Sequence, residues 1–219
     1  MDVMEIRRRL MMQPQQTYVK NGLVLWLDGI DKGNVSGSWV DKVSGYEFAG
    51  VNNPTFGTDY VELDRKTNYL VNSDFSPPTS SNGTIEVVAT GYTYVSGRYQ
   101  LLFMPKIIDG GGIALGLYGL NVIWSTSVKP ILENGVGFEV LSVNEDRALS
   151  DGTSLSFSTN TNNWGSANTN NYIGCRAGTG VFYGGKIHSI RIYNRKLTAD
   201  EILNNQRVDN KRFNLRLNI

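Results

Sequence analysis

The sequence has one cysteine, Cys175, and one histidine, His188, in 219 residues. A single thiol excludes an internal disulfide, and so few cysteines and histidines cannot assemble a zinc cluster. A thiol nucleophile needs a neighbouring base, and Cys175 sits in a strand-to-loop run that offers none, so it reads as a buried structural thiol. A nucleophile elbow of the form Gly-x-Ser-x-Gly is absent, and a lone histidine within a strand reads as a satisfied structural group. Net charge is only +1, which argues against nucleic acid as a partner. No stretch approaches the ~20 apolar residues of a membrane helix. No secretory signal is readable either, because Leu10-Met11-Met12 gives way at once to Gln13-Pro14-Gln15-Gln16. There is no repeat with a period of roughly 20–50 residues, so a solenoid or propeller is not expected.

What the chain does have is glycine and short strand patterns. Its 24 glycines, with recurring Asn, Ser and Thr clusters, suit many short strands joined by turns. Residues 23–28 are apolar up to Asp28, as in a covered strand. Residues 60–64 alternate, residues 84–89 form another strand, and residues 98–104 and 112–118 read as a hairpin pair around Asp109-Gly110-Gly111. That glycine run lacks the lysine and following helix of a phosphate loop, so it is a turn. Asp151-Gly152 is a hairpin dipeptide, and Trp39 reads as core. The first 17 residues differ: Val3, Ile6 and Leu10 fall at helical spacing with Arg7-Arg8-Arg9 opposite. They form an arm, either a disordered leader or an assembly element that orders against a partner chain. Residues 18–219 form one domain.

The rest is organised around residues 182–206. Gly184-Gly185 opens a run of strand formers that ends at Asn194-Arg195-Lys196. Ile190 and Ile192 share a face, but Ile187 has the opposite parity. One inserted residue near His188-Ser189, a β-bulge, would bring all three to the core. Thr198-Ala199-Asp200-Glu201 is a capping box that starts a helix, and the helical pattern continues past Gln206. Leu215, Leu217 and Ile219 alternate with polar residues, as in a terminal strand or an apolar tail laid on a neighbouring chain.

A glycine, a strand Ile-x-x-Ile-Arg-Ile-Tyr-Asn-Arg, a leucine and a Thr-x-x-Glu-Ile helix resemble the closing segment of laminin-G-like domains, in the concanavalin A-like lectin and glucanase superfamily. Gly22-Leu23-Val24-Leu25-Trp26-Leu27-Asp28-Gly29 resembles the opening strand of that family. Trp39-Val40-Asp41 resembles the segment after it, Tyr60-Val61-Glu62-Leu63-Asp64 with Tyr69-Leu70 the next hairpin, and Asn171-Tyr172-Ile173-Gly174 the strand before the closing glycines. The resemblance implies an all-β, two-sheet antiparallel jelly-roll sandwich of concanavalin A type, with a short C-terminal helix. A basic leader before such a domain is also similar to tail or surface-decoration proteins of bacterial viruses and prophages, which implies a virion or cell-surface setting.

Fold does not fix function here, because this superfamily hosts enzymes, lectins and spacers. Its glucanases carry three acids on one strand, Glu-x-Asp-x-(x)-Glu. The string Glu62-Leu63-Asp64 lacks the second glutamate, and Glu133 and Glu139 have the wrong spacing, so no glucanase-type site is expected. Calcium binding in related domains uses loop carboxylates. Asp109, Asp146 and Asp151 are loop-placed acids but form no dense motif, so no cofactor or metal site is assigned. The strongest ligand signal is a polar loop at residues 159–171, in which Trp164 stands among Asn162, Asn163 and further asparagines. Tyr92 and Tyr94, in a Gly-Tyr-Thr-Tyr turn, could add a second platform. The expectation is a non-catalytic recognition module for a surface glycan or protein, oligomeric through its arm. The alternative is a structural assembly module without a ligand, and a glycoside hydrolase ranks last.

Overall fold

The computed structural model describes residues 17–78, 82–91, 99–106, 115–118, 121–124, 127–128, 139–144, 146–155, 160–161, 169–178 and 180–219. The first half carries β1 (Leu23–Asp28), β2 (Ser38–Val40), β3 (Glu47–Val51), β4 (Thr55–Phe56), β5 (Val61–Asp64), β6 (Tyr69–Asn72), β7 (Thr84–Thr90) and β8 (Tyr99–Met104). The second half adds β9 (Leu115–Tyr118), β10 (Asn121–Trp124), β11 (Ser127–Val128), β12 (Val140–Asn144), β13 (Ala148–Ser150), β14 (Thr153–Ser154) and β15 (Asn160–Thr161). It closes with β16 (Asn171–Ile173), β17 (Gly184–Tyr193) and a helix, α1 (Ala199–Arg212). One sheet runs β14-β13-β12-β7-β17-β5-β4, with β1 also on β17; the other runs β15-β11-β10-β9-β8-β16-β6-β3-β2. The fold is the expected antiparallel two-sheet sandwich with one C-terminal helix.

Strand β17 is the spine of the first sheet. One of its edges follows β7 along residues 186–193, while the other is shared between β5, along residues 184–187, and β1, along residues 189–193. Ile187 lies opposite Ala89 and Ser189 opposite Val88, so the register slips and His188 is the inserted residue. The bulge expected from the isoleucine parity is present. Ile187, Ile190 and Ile192 are all fully buried in the core between the sheets, because the extra residue resets the alternation. Trp39, Phe48, Phe103, Leu25, Leu27 and Leu70 fill that core with them, each such side chain contributing about 1.5–3 kcal/mol by leaving water. The one polar atom of Trp39 is satisfied: its indole N–H donates to the Asp28 carbonyl at 3.0 Å.

The outer face of the first sheet is built differently. Alternation puts Glu86, Ser142, Ser189, Arg191 and Tyr193 there, and α1 covers them with Asn205, Gln206 and Asp209, all buried. Arg191 donates Nε to Glu86 at 3.0 Å, and its fork reaches both Asp209 oxygens at 2.8 and 2.5 Å. Asn205 donates to Glu86 at 2.8 Å, Gln206 to Ser142 at 3.1 Å, and the Tyr18 hydroxyl to Asp209 at 2.7 Å. Burial drives the Glu86 carboxyl above its usual range, with Arg191 opposing the rise. For Arg191 the two carboxylates outweigh burial and hold its charge firmly. At the start of α1 the capping box forms: Thr198 accepts from the Glu201 amide and Glu201 accepts from the Thr198 amide.

Two expectations are corrected. Strands β5 and β6 do not pair; β5 lies against β17 in one sheet and β6 against β3 and β16 in the other. Asp64 accepts from the amides of Lys66, Thr67 and Asn68, and this tight turn carries the chain across the sandwich instead of back along the strand. The C-terminal tail is not a strand. Leu215 and Leu217 pack on Val88, Val140 and Phe213 of the same domain, because the outer face beside α1 still has apolar surface to cover. Asp151 and Gly152 have φ of 49° and 83°, so the hairpin turn between β13 and β14 has the left-handed pair that a two-residue loop demands.

Candidate ligand groove beside the C-terminal helix

Trp164, Asn162, Asn163, Tyr92 and Tyr94 lie outside the described residues, as do residues 1–16 of the arm and Asp109. Thr161 pairs with Ser127, next to the Trp124–Leu115–Phe103 row, and Tyr172 pairs with Met104. Both flanks of the Trp164 loop therefore sit at the Met104 end of β8, whereas the segment holding Tyr92 and Tyr94 enters β8 at Tyr99. Among the other residues considered, Asp146 is paired with Lys196 at 2.9 Å, and Asp151 accepts from the Glu139 and Val140 amides. Among the described residues no group of three or more His, Cys, Asp or Glu could hold a metal ion.

The bulge turns His188 to the outer face. Its Nε2 lies 2.8 Å from Thr90 Oγ1 and its Nδ1 3.0 Å from the Asp59 carbonyl oxygen, with Tyr60 and Phe213 against the ring. Burial pushes its pKa down, against the pull of Asp59. Both ring nitrogens are occupied, so this is a satisfied histidine. Cys175 is fully buried, and burial pushes its thiol up to about 12. A shallow depression of about 480 Å³ lies near the start of β17, lined by Glu62, Asp64, Arg65 and Gly184. Burial would raise the Asp64 carboxyl, but its three backbone amides prevail and hold it low. Asp64 is thus committed to its turn, and no aromatic ring among the described residues lines this depression.

A second concavity, of about 460 Å³, has a different lining: Tyr18, Lys20, Trp26, Val208, Lys211 and Arg212, with Thr17 at its rim. The strand β1 positions Trp26 by parity, since Leu25 and Leu27 go to the core and Trp26 to the outer face. Its backbone N–H is fixed by Asp41 Oδ1 at 2.6 Å. Tyr18 meets the indole edge-on, with ring centres 5.2 Å apart, and is itself stacked under Arg191 at 4.2 Å. Lys20 Nζ sits 4.4 Å from the indole centre, with Lys42 at 5.7 Å and Arg212 at 5.8 Å. The last turn of α1 supplies Lys211 and Arg212.

Charge in this groove is one-sided. Arg212 is paired with Asp28 at 2.5 Å, and Lys42 with Asp31. Neither Lys20 nor Lys211 meets a carboxylate among the described residues. Partial burial lowers the pKa of Lys20, and repulsion from Arg191, Arg212 and Lys42 adds to the effect. The indole N–H of Trp26 has no acceptor among the described residues. The indole N–H is itself buried, so what meets in the groove is an aromatic floor and excess positive charge.

Residues 147–203, from the start of β13 into α1, match the family model described as the concanavalin A-like lectin/glucanases superfamily, of laminin G type. That stretch of the chain is similar to the superfamily. The match takes in the closing strand, turn and capped helix that carried the resemblance. A search of curated proteins gives no match. Among solved structures, a Trypanosoma rangeli sialidase superposes with a TM-score of 0.57 at 17% identity, over 84% of this chain and 32% of that one. A botulinum neurotoxin type G receptor binding domain superposes with a TM-score of 0.54 at 14% identity, over 87% of this chain and 52% of that one. The chain thus spans about a third of the sialidase and about half of the toxin domain, and the likeness is one of fold.

The groove residues were not singled out by sequence pattern. Trp26 carried a usable signal, its parity opposite Leu25 and Leu27. Nothing in sequence brings Lys20 to Lys211, because that proximity depends on α1 docking beside β1.

Proposed function

We propose that this protein is a non-catalytic recognition module that binds glycan through the groove floored by Trp26 and Tyr18. The observation that carries this reading is the coincidence in one concavity of aromatic surface with hydrogen-bond donors. Sugar rings present C–H patches to aromatic and apolar surface while their hydroxyls take hydrogen bonds from neighbouring polar groups. Tyr18, Trp26 and Val208 supply the first kind of contact, and Thr17, Lys20 and Lys211 the second. The volume lies within the roughly 300–1,000 Å³ typical of ligand pockets. A receptor binding domain among the neighbours of similar fold is consistent with a role in binding. An open groove favours weak single-site affinity, with Kd near ~1 mM, about −4 kcal/mol. Useful avidity then comes from several copies displayed together.

A second location for the same function is the loop of Trp164, Asn162 and Asn163, with Tyr92 and Tyr94. Titration of a glycan array against wild type, Trp26→Ala and Trp164→Ala, with fold checked by circular dichroism, separates the two. Loss in Trp26→Ala alone supports the groove, and loss in Trp164→Ala alone moves the site to the loop. Absence of binding by wild type overturns glycan recognition in favour of a protein partner or a purely structural role. Hydrolysis of a bound glycan would overturn the non-catalytic assignment.

A further inference from the structure

We infer that the groove selects saccharides bearing a carboxylate or sulfate. This rests on the glycan-recognition reading and goes further by naming the charge of the ligand. Three cationic side chains, Lys20, Lys42 and Arg212, lie over the half-buried ring of Trp26, and a fourth, Lys211, lines the same concavity. The two carboxylates at its margin are spent, Asp28 on Arg212 and Asp31 on Lys42. Asp209 lies below the floor, where Arg191 and Tyr18 already use both of its oxygens. Lys20 and Lys211 are left as uncompensated ammonium groups among the described residues, both lining the one concavity.

A neutral sugar gains nothing from that arrangement and leaves Lys20 facing the unrelieved repulsion of Arg191, Arg212 and Lys42. An anionic group in the concavity offsets that excess positive charge and accepts charge-assisted hydrogen bonds from the lysines that line it. Partial desolvation at the groove strengthens these contacts relative to bulk water. The Trp26 indole and Val208 remain for the ring carbons of the same sugar. Two other occupants fit less well. The chain's own leader brings Arg7, Arg8 and Arg9 against Asp2 and Glu5, the wrong sign for this surface. Nucleic acid calls for a basic stripe on a basic domain, whereas this is one local patch on a chain of net charge +1.

The experiment is calorimetric titration of the full chain with matched pairs: oligogalacturonate against its methyl ester, sialyllactose against lactose, and sulfated against desulfated chondroitin oligomers. A thymidine oligonucleotide serves as a non-saccharide anion. The expected result is that at least one acidic member binds and its neutral partner binds more weakly. Its affinity should fall as salt rises and drop roughly tenfold in Lys20→Gln/Lys211→Gln, for two screened ion pairs. The fold of that variant is checked by melting temperature. Equal binding of acidic and neutral partners, untouched by the lysine variant, overturns the inference while leaving glycan recognition standing. Binding of the oligonucleotide in preference to every acidic sugar overturns it in favour of nucleic acid. Silence of all acidic sugars overturns it as well, and silence of the neutral array too overturns the parent reading.

Discussion

The two faces of the first sheet solve burial in opposite ways. The inner face meets the second sheet through Ile187, Ile190, Ile192, Val87 and Leu141, with no charged group among them. The outer face meets α1 through Glu86, Ser142, Arg191 and Asp209, equally buried but polar or charged. On the inner face, shape and volume decide the energy. On the outer face each group depends on a particular partner, so a single loss strands the others. The outer face therefore gives up tolerance in exchange for a fixed docking position of α1, and that position builds the groove.

The largest effect expected from this contrast is at Arg191. Arg191→Met removes the cation shared by Glu86 and Asp209, leaves two buried carboxylates without it, and should cost about 3–5 kcal/mol. Denaturant unfolding measures this, and a cost below that of a single methyl deletion in the core would erase the contrast. On the inner face, Ile190→Val should cost only about 0.5–1.5 kcal/mol, since the site loses one methyl group and keeps every partner. A loss matching Arg191→Met would mean that both faces are equally intolerant.

At the rim of the helix interface, Thr198→Ala removes one half of the capping box and should cost about 1 kcal/mol. In a domain of this size that lowers the melting temperature by roughly 2–4 °C. A much larger drop would show that α1 supports the sandwich itself and not only its outer layer.

The smallest effect concerns pH. Burial lowers the folded-state pKa of His188, so the unfolded chain takes up a proton more readily. The stability that neutral His188 contributes is thus complete above the ordinary histidine pKa of about 6.5. It is lost as pH falls through that value toward the lower folded one. His188→Gln should flatten the stability profile over this window, and an unchanged slope would assign the dependence to other groups.

Much of this was legible in the chain. The isoleucine parity across residues 187–192 called for one inserted residue, and His188 is that residue, because side chains alternate strictly along a strand. The capping box reads directly from Thr198 and Glu201, since both of its bonds span three residues. The hairpin turn at Asp151-Gly152 was equally local. The assignment of β5 and β6 to one hairpin failed for a physical reason: two strands joined by a tight turn look alike whether they pair or cross between sheets. The tail residues Leu215 and Leu217 announced apolar surface but not what they would cover.

Local pattern thus determined the strands, the bulge, the cap and the apolar side of each strand, because these follow from spacing along the backbone. The tertiary structure alone decided which polar residues would meet. Glu86, Arg191 and Asp209 are far apart in sequence and look like ordinary surface residues, and only the docking of α1 on β7 and β17 makes them a buried, mutually satisfied set. The same docking brings Lys20 and Trp26 to Lys211 and Arg212. Charge at long sequence separation has no periodic signature, so the groove existed for the reader only once the chain was folded.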